Sequence, residues 1–265
     1  MVLMAENLWK YREFILSCVK RDFKSRYTGS VLGVLWSVFQ PLAMILVYTV
    51  IFSQVMRSKL SGMEAVPFAY SIYLCAGVLN WNLFQDMLFG CVNVFLNNAN
   101  LMKKVSFPRI CLPAIAVSNS LLNYIIGFSL FLVFMLLIGK FPWSTFLFVL
   151  LGLLVQITFT VGLGIGLGVL NVFFRDIGQM LNVVLQFWFW FTPVVYPLKI
   201  VPERLAWLME LNPMYHIVSV YQSVFVYNQV PQLGKLAVVF VLSLLLGAWS
   251  LRIYRKHVGE LVDEL

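Results

Sequence analysis

The sequence predicts an all-α integral membrane protein forming a single transmembrane domain, residues 1–265. Three observations predict it. The chain is 61% hydrophobic and only 11% charged, against about 25% charged in a soluble domain, and its mean hydropathy is +0.88. Its apolar residues gather in long runs, each enough to cross roughly 30 Å of hydrocarbon as helix. Its basic residues gather between those runs, where they orient a membrane protein. That placement, despite a net charge of +8, argues for a membrane rather than for nucleic acid as the partner. The order implied is an N-terminal amphipathic interface helix, six transmembrane helices, and a broken stretch between the fifth and the sixth.

Residues 6–27 form the interface helix. Leu8, Tyr11, Ile15, Cys18, Val19 and Phe23 recur at helical spacing, and Lys10, Arg12, Lys20, Arg21, Lys24 and Arg26 fill the other side. Such a helix lies in the headgroup plane with its basic face toward anionic lipid; a solvated helix beside the membrane is the alternative. The first span is 31–56, with Pro41 expected to kink it. The second, 68–96, contains Asp86. An acid at membrane depth is a functional candidate, and a carboxylate satisfied by a neighbouring helix or placed near the interface is the other reading. Residues 97–109 are a basic loop ending at Pro108. The third span is 110–139, and Lys140 to Trp143 make a tight turn. The fourth, 144–171, carries Gly162, Gly164, Gly166 and Gly168. No strand precedes these glycines and no Lys-Ser/Thr follows, so they are not a phosphate loop. Small residues four apart let helices approach closely. The fifth span is 177–195 and the sixth 234–253, followed by a charged tail.

Residues 187–228 are apolar but interrupted by Pro193, Pro197, Pro202 and Pro213, with Lys199, Glu203, Arg204 and Glu210 among them. A straight helix is excluded. Broken helix at membrane depth survives only where protein buries its freed backbone groups or where it lines a polar cavity. The stretch therefore reads as entering, breaking and dipping back, with 196–228 re-entrant. With both termini cytoplasmic, thirteen of the 19 Lys and Arg fall inside and six outside, as the positive-inside rule requires. The broken stretch then lies at the external end.

No catalytic constellation stands out. His216 and His257 belong to no metal-binding pattern, and Cys18, Cys75, Cys91 and Cys111 show no paired spacing. With no P-loop signature, ATP-driven work must come from a partner chain. Aromatics make up 16% of the chain. Trp81, Phe84, Trp188, Trp190, Tyr196, Tyr215, Tyr221 and Tyr227 gather toward one end of the expected bundle. Flat apolar faces with polar edges suit sugars; lipid-facing and packing aromatics are the alternative.

Several segments carry a resemblance. Arg21-Asp-Phe-Lys-Ser-Arg-Tyr27, Gly29-Ser-Val-Leu-Gly-Val-Leu-Trp36 with Pro41-Leu42, Asn100-Leu-Met-Lys-Lys-Val-Ser-Phe-Pro-Arg109, Phe173-Phe-Arg-Asp-Ile177, Thr192-Pro-Val-Val-Tyr-Pro197 and Leu211-Asn-Pro-Met214 resemble, in order and spacing, the polysaccharide-export ABC transporter permeases (ABC-2 type). Length and segments look most like an O-antigen (lipopolysaccharide) export permease; capsule and teichoic-acid permeases share the segments. The resemblance implies a homodimer in the bacterial inner membrane and two copies of a separate nucleotide-binding ATPase subunit holding Mg-ATP, with no cofactor in this chain. It implies a polyprenyl-diphosphate-linked polysaccharide as substrate, moved from cytoplasm to periplasm. It makes 97–109 an ATPase-coupling loop, with Asn100, Leu101, Lys103, Lys104, Val105, Phe107, Pro108 and Arg109 at the contact. Leu101, Val105 and Phe107 are expected to supply its buried part. Arg175 and Asp176 would open a gate helix. Arg175 and the basic N-terminal face (Lys20, Arg21, Arg26) are expected diphosphate contacts, because guanidinium matches phosphate bidentately. The broken stretch would be two re-entrant helices. Relatives often have isoleucine before the tyrosine of the proline segment, where this chain has Val195. The rival readings are a drug or lipid exporter and a membrane-embedded transferase. A transferase should cluster acids and histidines near one face, whereas Asp86 stands nearly alone.

Overall fold

The structure is a computed structural model describing residues 9–51, 68–104, 107–262 and 264. Long apolar runs become long helices, and each proline cluster becomes a break. In chain order the helices are α1 (Arg12–Tyr27), α2 (Trp36–Tyr48), α3 (Ala69–Asn97), α4 (Ala99–Lys104), α5 (Cys111–Leu137), α6 (Leu147–Phe173), α7 (Asp176–Phe191), α8 (Glu203–Glu210), α9 (Pro213–Gln222) and α10 (Leu233–His257). A 3₁₀ turn (Gly33–Leu35) leads into α2, which runs on through Pro41, and a π turn (Ser223–Tyr227) ends α9.

Four helical stretches among the described residues are long and apolar enough to cross a membrane: Gly33–Ile51, Cys111–Leu137, Leu147–Phe173 and Leu233–His257. They correspond to the first, third, fourth and sixth expected spans. The other two expected spans are helices of different character. The second, α3, is 29 residues long but carries Asn80, Asn82, Gln85, Asp86 and Asn93. It can do so because it is the central helix, buried over much of its length between α5, α6 and α9. The fifth, α7, is 16 residues, because Pro193 stops it at Phe191 short of the expected Val195. The last helix continues through the basic residues to His257, beyond the expected end at Ile253. Residues 52–56 of the first expected span lie outside the described residues.

Close approach holds the centre together. A Cβ on Gly164 would sit 2.6 Å from Cys91 Cβ, and one on Gly168 would sit 2.6 Å from the Cys91 carbonyl oxygen. The other side of the ridge meets α10, where the Ser250 hydroxyl donates to the Gly162 carbonyl at 2.6 Å. The glycines are packing residues, as their spacing implies. Polar groups in this core are paired with one another. Gln156 Nε2 donates to the Asn80 carbonyl at 2.7 Å, Tyr124 OH to Asn80 Oδ1 at 3.0 Å, and Tyr221 OH to Gln156 Oε1 at 3.2 Å. That network joins α3, α5, α6 and α9, and its cooperation fixes their register.

Candidate functional site

The bundle has two chemically distinct ends. At the first, the Tyr254 ring stacks on Phe95 at 6.1 Å, the His257 ring meets Phe173 at 5.6 Å, and an Arg109 guanidinium nitrogen donates to the Val258 carbonyl. α1 lies against α5 here: Asn119 Nδ2 donates to Asp22 Oδ2 at 3.2 Å, and Cys18 and Val19 are buried. Burial pushes the Cys18 thiol above its usual range, so it is a neutral packing group. The ends of α3, α6 and α10, the starts of α5 and α7, and the helices α1 and α4 therefore share one end, which collects most of the basic residues.

The coupling segment sits at this basic end. α4 spans only Ala99–Lys104, and Asn100 and Lys103 are exposed on it. The Phe107 ring faces Phe14 of α1 at 5.3 Å, and Leu101 packs on the protein's own core. Both therefore support the segment from within rather than offering themselves to a partner. Arg109 is likewise engaged with the C-terminal segment, and Pro108 is half-buried beside it. Val105 and the Lys104 side chain lie outside the described residues.

The three arginines grouped by sequence are parted. Arg21 pairs with Asp22 at 3.1 Å and borders an open basic groove with Lys20 and Lys24. Arg26 instead lines a cavity that it shares with Asp86. Arg175 and Asp176 are exposed at the start of α7. Their turn is pinned from below by Asn171, which donates to the Val92 carbonyl at 3.1 Å and accepts from Gly178 N–H at 2.9 Å.

At the opposite end the proline-broken stretch is closed by hydrogen bonds from distant helices. Tyr70 OH donates to the Val195 carbonyl at 2.7 Å. Tyr73 OH lies 3.0 Å from the Pro193 carbonyl and 2.8 Å from that of Tyr196, and Gln222 Nε2 adds 3.2 Å to Pro193. The carbonyls freed where α7 ends are thereby satisfied inside protein, as an apolar environment demands. Asn212 is the second pin. Its Oδ1 caps α9 by accepting from Met214 N–H at 3.0 Å and takes the Trp188 indole N–H at 2.9 Å. Its amide donates to Thr192 Oγ1 at 2.8 Å. Only the Leu211-Asn-Pro-Met214 motif pointed to it, without a role. Asn212→Ala removes a cap and two side-chain bonds, and should lower stability by about 2 kcal/mol. A drop in thermal midpoint of the detergent-solubilised chain checks it, and it should be smaller for Asn212→Asp, which keeps the cap and the Trp188 bond but loses the amide donor to Thr192.

The aromatic path of the sequence reading divides here. Trp81, Phe84 and Tyr221 are buried, at 3%, 0% and 0% exposure, so they do not line a path; this corrects the expectation. Phe84 meets Trp81, Phe159 and Trp188 at 5.3 to 6.0 Å between ring centres, which makes the group a core cluster. Trp188 and Tyr215 are half-buried, and Trp190 is 58% exposed. Half-buried Tyr196 donates its hydroxyl to the Trp190 carbonyl.

A bundle that is helical without strands among the described residues, with apolar membrane-length helices, a basic end and a hydrogen-bonded break at the other, defines a multi-pass membrane protein. Residues 13–226 match the family model of the ABC-2 type transporter, and the chain belongs to that family. It is 33% identical, over the full length of both chains, to the O-antigen export system permease protein RfbA of Myxococcus xanthus. It is 27% identical to a protein of the same name from Klebsiella pneumoniae, covering 96% of each chain. A polysialic acid transport protein, KpsM of Escherichia coli, is 21% identical over 89% of this chain and 90% of its own. The family implies pairing with an ATPase subunit.

Proposed function

We propose that the chain is the transmembrane subunit of an ATP-driven exporter for a polyprenyl-diphosphate-linked O-antigen polysaccharide. Two copies form the channel in the bacterial inner membrane, and both termini are cytoplasmic. The observation that carries this reading is the end-to-end similarity to O-antigen export permeases. The geometry supports it. A polar polymer cannot cross hydrocarbon and needs a protein-lined route. The basic end, held at the cytoplasmic face by its charge, presents α4 to the ATPase and the Arg175 turn to the diphosphate. Guanidinium matches phosphate oxygens bidentately. The pinned break at the other end forms two re-entrant helices, α8 and α9, at the periplasmic exit. Capsule export is the second reading, supported by the weaker match to the polysialic acid transporter.

Reconstitution of the chain with its ATPase subunit tests this: lipid-linked O-antigen should stimulate hydrolysis, and a small-molecule drug should not. Within the reading, Arg175→Ala should reduce surface glycan about tenfold, the weight of a hydrogen bond to a charged group, while lipid-linked glycan accumulates on the cytoplasmic leaflet. Surface glycan at the normal level would remove the role of Arg175.

A further inference from the structure

Between α2, α3 and α5, with Arg26 of α1 at its edge, lies a cavity of ≈ 570 Å³. It falls within the range of small-molecule sites, about 300–1,000 Å³. Eight of its thirteen lining residues are polar or charged. Asn82 and Asp86 stand one turn apart on α3 and are both exposed into it. Gln40 comes from α2 and Asn123 from α5. None of these four side chains makes a hydrogen bond among the described residues, although the neighbouring Tyr124 and Asn80 are bonded to each other. Polar groups left open between membrane-spanning helices are costly unless something fills the space.

The lining selects the occupant. Arg26 and Asp86 cancel in charge, so the cavity suits neither a diphosphate, which calls for an excess of cations, nor a metal ion, which the guanidinium would repel. Carboxamides offer donors and acceptors together, and a carboxylate takes two donors. Hydroxyl groups, each both donor and acceptor, answer that mixture. Leu79, Leu83, Pro41 and Met44 add an apolar wall, the counterpart of the C–H face of a pyranose ring.

We propose that this cavity is a subsite for neutral sugar units of the transported glycan, with Asp86 and Asn82 as the principal hydroxyl ligands and Arg26 orienting the carboxylate. The proposal rests on the transport reading above. It places sugar recognition in a polar pocket between α2, α3 and α5, away from the exposed aromatics of the far end.

The test uses the full-length chain with its ATPase in cells of its own host. Asp86→Asn and Asn82→Ala should each lower surface glycan about tenfold at unchanged permease level in the membrane. A photo-crosslinking amino acid at Gln40 should form adducts that carry periodate-oxidisable sugar, and one at Leu137, on the exposed far end of α5, should not. Normal export by both variants, without sugar adducts at Gln40, overturns the proposal and leaves a hydrated cavity only. Adducts that persist when cells make the lipid diphosphate without its glycan also overturn it, in favour of a phosphate site. Surface glycan that survives deletion of the whole chain instead defeats the transport reading itself, so the two failures are distinguishable.

Discussion

Deleting residues 100–107 leaves a chain that no longer co-purifies with its ATPase subunit, and export falls to background. The reason is geometric. α4 is a short helix held at the basic end between the long helices α3 and α5, with Asn100 and Lys103 turned outward. Met102 is 7% exposed and points inward, and the Phe107 ring is seated on Phe14. The segment is thus anchored from behind and presents a small rigid face, the form in which a rocking partner can transmit movement. Because deletion also removes the anchor, Lys103→Glu separates contact from support. Its side chain is exposed, so the fold should be unaffected. An exposed pair contributes about 0.2–1 kcal/mol, so affinity for the ATPase should fall only several-fold. A pull-down titration of the two variants in detergent checks both expectations. An intact complex after the deletion would sink the coupling role of 97–109.

How far these features are legible in the sequence depends on how local their causes are. The uncharged runs announced α2, α5, α6 and α10, because membrane length and composition are properties of one segment. Prolines announced the end of α7 for the same reason. α3 was legible as a long helix, but its polar residues were not legible as a pattern. Asn80, Gln156, Tyr124 and Tyr221 form one network only after four helices have packed, and no local periodicity names the partner of a buried amide. The aromatic reading failed at Trp81, Phe84 and Tyr221 for a related reason. Composition says that rings are abundant at one end, but which face of α3 meets α6 and α7 is decided by tertiary packing. The donors that close the proline break, Tyr70, Tyr73 and Gln222, are equally remote in the chain. The cavity follows the same rule. Asp86 stood out alone as a membrane-depth acid, and Arg26 was grouped with the headgroup-facing arginines until the fold placed both against one space.

The glycine ridge of α6 allows a sharper test than any of these, because two neighbouring glycines should fail differently. Gly168→Val puts a branched side chain where even a Cβ would lie 2.6 Å from the Cys91 carbonyl oxygen. A backbone atom of the central helix cannot move aside alone, so α3 and α6 must separate along their length. Overpacking a tight core costs about 1–3 kcal/mol where side chains can yield; here the cost should exceed that range, and folded protein should be lost from the membrane fraction. Gly168→Ala should already be severely destabilising. At Gly164 the obstacle is a side chain, since the added Cβ meets Cys91 Cβ at 2.6 Å. Gly164→Ala should therefore be rescued in part by Cys91→Gly, which removes the opposing atoms and moves the small residue across the interface. The same second change should not rescue Gly168→Ala, because glycine keeps the carbonyl. Gly234→Ala, with no atom within 4 Å of the added Cβ and a better helix former in place, should be neutral or slightly stabilising. Size-exclusion profiles and thermal midpoints of the detergent-solubilised variants read the four single substitutions and the two Cys91→Gly doubles. Rescue of both α6 substitutions by Cys91→Gly would mean that α3 and α6 meet through side chains alone, and the backbone-to-backbone contact assigned to the ridge would be wrong.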